Sequence, residues 1–202
     1  AVGMVSPAVK DGVLDLSSWD FEKDGIVELK GNWNFYWKQF VSTESFEGKN
    51  IPEPSLHIKV PASWTSYTAT SGKPFPVHGY ATYHLRILTP ATGKKFSIKF
   101  MTIGTAFKAY IDGQLIASSG KVGTSMGESI PAVRPVIADF IPSDNQVDLI
   151  IHVSNYHYNT SGLFDPHRLG LEKNIRSQWQ KKTIVTIFLL GGILLMAIYH
   201  FA

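Results

Sequence analysis

Residues 123–127 read Gly-Thr-Ser-Met-Gly, the G-x-S-x-G pattern that exposes a serine nucleophile on a sharp strand-to-helix turn in hydrolases. Pro131 and Pro135 follow it, so the helix that such a turn requires is not expected, and Ser125 is read as a loop serine. Glycoside hydrolysis needs two carboxyl groups roughly 5 to 10 Å apart across a cleft. The acidic residues offer no such pair: Glu22, Asp24 and Glu28 fall near turns, and Asp112, Asp139, Asp144 and Asp148 are explained by turns or exposed strand faces. Of the seven histidines, His152, His157 and His167 are the nearest group in sequence, without helical ligand spacing or cysteine support for a metal. The chain has no cysteine, which excludes disulfides, cysteine–zinc sites and thiol nucleophiles. No catalytic residue, metal or cofactor is expected. Asn159-Thr160-Ser161 matches the glycosylation acceptor pattern and is read as ordinary loop sequence.

What remains is binding chemistry, in the form of aromatic rings placed near polar side chains. Sugars are held by ring faces against C–H patches and by planar amides or guanidinium forks on hydroxyls. The candidate ligand-binding residues are Trp64, Tyr80, Lys121, Arg134, Asn155, His157, Phe164 and Arg168, with Tyr67 and Tyr156 beside them. They point to a loop edge built from residues 118–135 and 155–168, where Lys121, Asn155, His157 and Arg168 donate hydrogen bonds and Tyr156 or Phe164 supplies a ring. Alternation from Val147 to Ser154 does not say whether Tyr156 or His157 turns toward that edge, so at most one of the two is expected to matter. Trp19, Trp33, Trp37 and Trp64 alternate or follow proline as core residues do, so Trp64 fits a core role as well as a binding one. Asn155 ends a strand, where it can cap a turn.

The elements that must position these residues are strands. Period-two alternation recurs along the chain: Gly12–Leu16, Ile26–Leu29, Asn32–Phe40, His57–Val60, Tyr80–Leu88, Lys95–Thr102, Val136–Ile141, Val147–Ser154 and Arg168–Leu171. Tyr83, Leu85 and Ile87 share one face, with His84 and Arg86 on the other; Phe96, Ile98 and Phe100 point inward, with Ser97 and Lys99 outward. Phe107–Ile111 and Gln114–Ala117 flank Asp112-Gly113, a dipeptide suited to a two-residue type I′ hairpin. The proline-broken stretch 41–76 and the Gly-, Ser- and Pro-rich stretch 118–135 are long loops. This pattern predicts an all-β fold, a two-sheet sandwich of jelly-roll type over residues 1–170.

A helix is predicted from about Leu171, with a juxtamembrane part at 171–182 and a membrane-entering part at 183–202, TIVTIFLLGGILLMAIYHFA, which holds no Asp, Glu, Lys or Arg. Trp179, Lys181 and Lys182 stand where interfacial anchors belong. Arg176, Lys181 and Lys182 precede the run, which by the positive-inside rule alone would place the sandwich in the cytoplasm; the chain offers no second flank to compare. Composition is globular, at 44% hydrophobic and 17% charged. A net charge of +3 from dispersed lysines and arginines leaves no nucleic-acid footprint. The chain opens at Ala1 without a basic-then-apolar leader, which reads as a mature or trimmed sequence.

LDLSSWDFEKDGIVELKGNWNFYWKQF, then VPASW, GYATYHLRI, GTAFKAYIDGQLIASSGKVG and VSNYHYNTSGLF, resembles the extracellular jelly-roll sensor domain of bacterial seven-transmembrane receptors with diverse intracellular signalling modules. The resemblance spans about Val13 to Gly170, and GGILLMAIYHF is similar to the start of that family's first membrane helix. More distantly, GNWNF, VPASW, YHLRI and YIDGQLIA resemble the galactose-binding-like sandwich at the front of β-galactosidase-type glycosidases. The resemblance implies a periplasmic or extracellular sensor held at the cell membrane as part of a receptor, binding a small molecule such as a carbohydrate and driving a cyclase or kinase module beyond the membrane. It also carries the binding role of Asn155. The alternative reading is a protein-interaction or dimerisation module, with homodimers among its partners.

Overall fold

The structure, a computed structural model, describes residues 6–46, 51–69, 72–90 and 93–201, with the side chains of 181–185, 195 and 201 outside that set. Among the described residues eleven strands and one long helix follow one another: β1 Val13–Asp15, β2 Val27–Glu28, β3 Gly31–Trp37, β4 Leu56–Val60, β5 Gly79–Leu88, β6 Phe96–Phe100, β7 Ala106–Ile111, β8 Gln114–Ser119, β9 Val136–Phe140, β10 Gln146–Asn155, β11 Arg168–Leu171 and α1 Glu172–Phe201. Strands β4-β3-β5-β10-β7-β8 form the larger sheet, with β1 running parallel to the end of β5, and β2-β11-β6-β9 form the smaller one. This is a β-sandwich.

Alternation places the core. Tyr83, Leu85 and Ile87 of β5, with Leu149, Ile151 and Val153 of β10, face Phe96, Ile98 and Phe100 of β6 and Leu169 of β11 in one buried cluster. The β7–β8 hairpin turns on Asp112 at φ 45° and Gly113 at φ 80°, the two positive angles a type I′ turn needs. Register defines two ends. Gly79, Asn155 and Ala106 lie together at the loop end, whereas Leu88, Gln146 and Asp15 lie at the opposite end, from which Leu171 passes straight into α1.

The outer faces are less exposed than alternation implies. Residues 41–46 return across the larger sheet, so that Val41 and Phe46 pack on Tyr36 and Ile150 in a second small core. Beneath this flap His84 stacks on Phe46 at 4.1 Å. Its Nε2 meets Asp148 Oδ1 at 2.8 Å and its Nδ1 meets the Asn34 amide at 3.1 Å, while Arg86 forks onto both Asp148 oxygens at 3.0 and 3.1 Å. Asp148, expected at a turn or on an exposed strand face, is therefore buried. Burial works to raise its pKa, but the hydrogen bonds from His84 and Arg86 outweigh that and hold the carboxyl below its ordinary value.

Helix α1 lies back along the smaller sheet. Glu172 N donates to Lys95 O, Arg176 reaches Asp139 on β9 at 2.6 Å, and Trp179 lies against Lys99, whose ammonium is 4.4 Å from the ring centroid. These contacts advance with β6 from Lys95 to Lys99, so α1 runs parallel to that strand and leaves the sandwich at the loop end. Trp179, read from sequence as an interfacial anchor, thus packs on the sheet. Asp139 also meets Lys95 at 3.1 Å and accepts from Ser97 at 2.6 Å. Its carboxyl feels burial as a raising influence, which Ser97, Arg176 and Lys95 together overcome to lower its pKa.

The helix is 30 residues long, about 45 Å at 1.5 Å per residue. Beyond the sheet Phe188, Leu190, Ile193, Leu194 and Met196 are exposed. Of the apolar run 183–202, residue 202 and the side chains of 183–185, 195 and 201 lie outside the described residues. Among the described residues no helix is long and apolar enough to cross a membrane.

Candidate functional site

The loop end is assembled where β8 and β10 run out. Gly120, at φ +71°, lets the chain leave β8 so tightly that a Cβ there would fall 2.3 Å from Ile130 O. Lys121 and Ile130 then exchange backbone hydrogen bonds of 2.8 and 3.0 Å, closing residues 122–129 into a loop. Inside it, Glu128 Oε2 accepts from Thr124 N and Oγ1 at 2.9 and 2.8 Å, and these bonds hold the Glu128 carboxyl below its usual range. Ser125 accepts backbone bonds from Glu128 and Ser129, in a turn with no strand-to-helix elbow.

The second loop is bonded to the first. Ser154 Oγ, fully buried at the end of β10, accepts from Gly123 N at 3.2 Å and pairs with Ser129 Oγ at 3.0 Å. Tyr156 donates to Thr124 O, and His157 Nε2 lies 3.1 Å from Ser129 O. Both Tyr156 and His157 therefore turn toward the 122–129 loop, a direction that alternation had left open. Asn155 is buried, and its amide donates to Val77 O, Tyr158 O and Thr160 O at 3.1, 2.9 and 3.5 Å while its Oδ1 accepts from Tyr158 N. This is the turn-capping role within residues 155–160, extended to a second segment at Val77.

The structure brings together part of the predicted set. Lys121, Arg134 and His157 are exposed at the loop end, and Tyr80 is half-buried with its ring 4.9 Å from that of Phe40. Phe164 is half-buried and packs toward Gly104, where a Cβ would come 3.1 Å from its ring. Trp64 is wholly buried: its indole N–H donates to Pro76 O at 2.9 Å and its ring packs on Trp37 at 5.3 Å. Arg168 turns to the smaller sheet and the helix, meeting Glu28 at 3.5 Å and Gln178 at 3.3 Å. Trp64 and Asn155 thus hold the loop end from beneath. Met126, Ile130, Val133 and Tyr158 add exposed apolar groups to the same end.

The three histidines singled out as the nearest group lie apart. His152 Nε2 meets Val41 O at 2.9 Å on the outer face of the larger sheet, His157 sits on the loops, and His167 is buried between the sheets. Among the described residues no group of three or more His, Asp or Glu could hold a metal ion. His167 Nδ1 accepts from Met101 N at 3.0 Å, and burial pushes its pKa down to about 4.

Two constellations escaped the sequence reading. One is the Asn34–His84–Asp148–Arg86 cluster; the other is the Lys95–Asp139–Arg176–Glu172 network that clamps α1. A signal for the first existed, since an acid on β10 and a base on β5 fall opposite each other once those strands pair. For the second, Glu172, Arg176 and Trp179 already stood at helical spacing.

No family model and no curated protein matches the chain. Solved structures of Ruminococcus gnavus β-glucuronidase are similar to it in fold. One has a TM-score of 0.53 at 18% identity, covering 71% of this chain and 27% of that one. The complex with D-glucuronic acid gives 0.53 at 19%, covering 72% and 29%, and the complex with uronic deoxynojirimycin gives 0.54 at 18%, covering 72% and 29%. The chain therefore spans under a third of the length of these structures, and at this identity the likeness shows a shared β-sandwich fold.

Proposed function

We propose that the chain is the extracytoplasmic recognition domain of a membrane-anchored bacterial signalling receptor, binding a carbohydrate or small polar metabolite at its loop end. The observation that carries this reading is the joint between sandwich and helix. β11 ends at Leu171 and α1 begins at Glu172 with no spacer, and the Asp139–Arg176 and Lys95–Glu172 pairs fix the helix to the sheet. A strain set up in the sandwich on ligand binding would reach α1 without the loss of orientation that a flexible linker brings. The uncharged run 183–202 supports an anchor, and the β-sandwich likeness to β-glucuronidase structures, one of them a complex with D-glucuronic acid, supports a sugar-like ligand. Lys121, Arg134, His157 and Tyr80 are the groups that would meet it.

A second reading, docking on a protein partner or a second copy, is favoured by Met126, Ile130, Val133 and Tyr158, exposed at the same end from which α1 departs. Reporter insertion tests the location. Alkaline phosphatase placed at the Asp112-Gly113 turn should be active in cells and a green fluorescent reporter there should be dark; the reverse pattern would place the sandwich in the cytoplasm and end the receptor reading.

A further inference from the structure

A cavity of about 270 Å³ opens at the end of the sandwich opposite the loops, close to where α1 begins. Its apolar wall is Trp19, Phe21, Phe96, Pro90 and Leu171, with Phe21 set edge-on to Phe96 at 4.8 Å. Ser17, Ser18, Asp20, Glu22 and Lys94 supply the polar lining. The volume lies just under the usual range for small-molecule pockets, so an occupant would be about one ring in size.

The chemistry of that lining is selective. Trp19 spends its indole N–H on Gly25 O at 3.2 Å and Ser17 its hydroxyl on Asp15 at 2.6 Å. Among the described residues no guanidinium or planar amide lines the space, so a polyol would find few partners. Both carboxylates are already engaged. Asp20 accepts from Glu22 N at 2.9 Å and pairs with Lys23 at 3.3 Å. Glu22 pairs with Lys94 at 3.0 Å and with Lys173 of α1 at 2.5 Å. A cationic ligand would thus compete against ion pairs already made. Two ammonium groups, each with three donors, converge on the single Glu22 carboxylate, and a second carboxylate can share them.

We propose that this cavity is a binding site for a small monocarboxylate with an apolar body, its ring or chain lying against Trp19, Phe21 and Phe96 and its carboxylate reaching Lys94. The site is separate from the loop end and does not depend on a carbohydrate ligand there. Through Leu171 and the Glu22–Lys173 pair it adjoins the first turn of α1, so its occupant sits next to the joint between sandwich and helix.

The test uses the full chain in a mild detergent, with the indole N–H signal of Trp19 assigned by nuclear magnetic resonance and phenylacetate as the probe. Phenylacetate should shift that signal saturably, and phenylacetamide should bind about threefold to fivefold more weakly, the range for losing a half-exposed ion pair. Lys94→Gln should bring phenylacetate to the level of the amide, Ser18→Phe should abolish the response by filling the space, and Arg134→Ala should leave it unchanged. Absence of a saturable Trp19 shift up to the solubility limit, equal affinity for acid and amide, or an undiminished response in folded Lys94→Gln would each overturn the proposal. Failure here with a sugar response intact at Arg134 would leave the loop-end reading standing; the opposite pattern would remove that reading alone.

Discussion

At the loop end the segments after β8 and β10 bond to each other: Ser154, Asn155, Tyr156 and His157 all spend polar atoms on neighbouring chain. At the other end Trp19, Phe21 and Phe96 line an open cavity, and the charged groups beside it pair between the sandwich and α1. The difference separates two ways of building a recognition surface. Internal bonding makes a stiff platform whose exposed side chains, Lys121, Arg134 and His157, can meet a ligand without ordering a loop, so less of the binding free energy is lost. A cavity offers burial instead, at the cost of packing that the core would otherwise have made. Because α1 runs from the cavity end past the loop end, an anchored chain would hold the loops near the membrane and the cavity away from it.

If Trp64 belongs to the floor of the platform, its removal is a core defect. Trp64→Ala should cost about 3 to 5 kcal/mol in chemical denaturation, the range for truncating a buried large aromatic. A loss under about 1 kcal/mol would show that the ring is not held as the Pro76 bond and the Trp37 contact describe.

Acid should weaken the loop end through His167. Its pKa is about 4 in the folded chain against about 6.5 unfolded, so between those values the unfolded chain binds a proton that the native chain does not. The stability is therefore whole above about pH 6.5 and falls as the pH drops toward 4, by up to about 3 kcal/mol. Asp148 acts in the same direction at lower pH, because its carboxyl is held below its ordinary value and its contribution is lost as the pH falls through that lowered pKa. His167→Gln keeps an acceptor for Met101 N and should flatten the pH 6.5 to 4 limb of a stability–pH curve; an unchanged limb would move the effect to another group.

Asn155→Ala should cost about 2 to 3 kcal/mol, since it removes a buried amide whose hydrogen bonds tie the carbonyls of Val77, Tyr158 and Thr160 together. Hydrogen exchange should show the loss spreading to the backbone of 156–163 while residues 17–22 keep their protection. Equal loosening at both ends would mean that the two are not separate structural units.

Much of this molecule was legible from its residues. Alternation located every strand, Arg168–Leu171 with the same bounds, and Asp112-Gly113 declared its turn. The helix starts one residue after Leu171, where its first-turn acid Glu172 stands. What could not be read locally is what covers a face. Alternation put His84 and Arg86 on an outer face, but burial of His84 and Asp148 depends on residues 41–46 returning across the sheet, a contact set by chain distant in sequence. Arg168 was assigned to a ligand because it closes the 155–168 loop, where its strand begins. Its side chain turns away because α1 folds back over β6 and presents Gln178. Asn155 carried both readings in its position alone, and only the carbonyls of Val77, Tyr158 and Thr160 decide how its amide is used.

The most direct test of the account is a thermal-unfolding screen of the full chain against sugars and small polar metabolites, D-glucuronic acid among them, repeated on Lys121→Ala and Arg134→Ala. Both positions are exposed, so each variant should itself change stability by less than about 0.5 kcal/mol. A true ligand near a hundred times its dissociation constant should add about 2.7 kcal/mol to the wild-type chain. The account predicts that most of this stabilisation disappears in at least one variant and survives in Lys94→Gln. A ligand that keeps its full effect in both loop-end variants would contradict it.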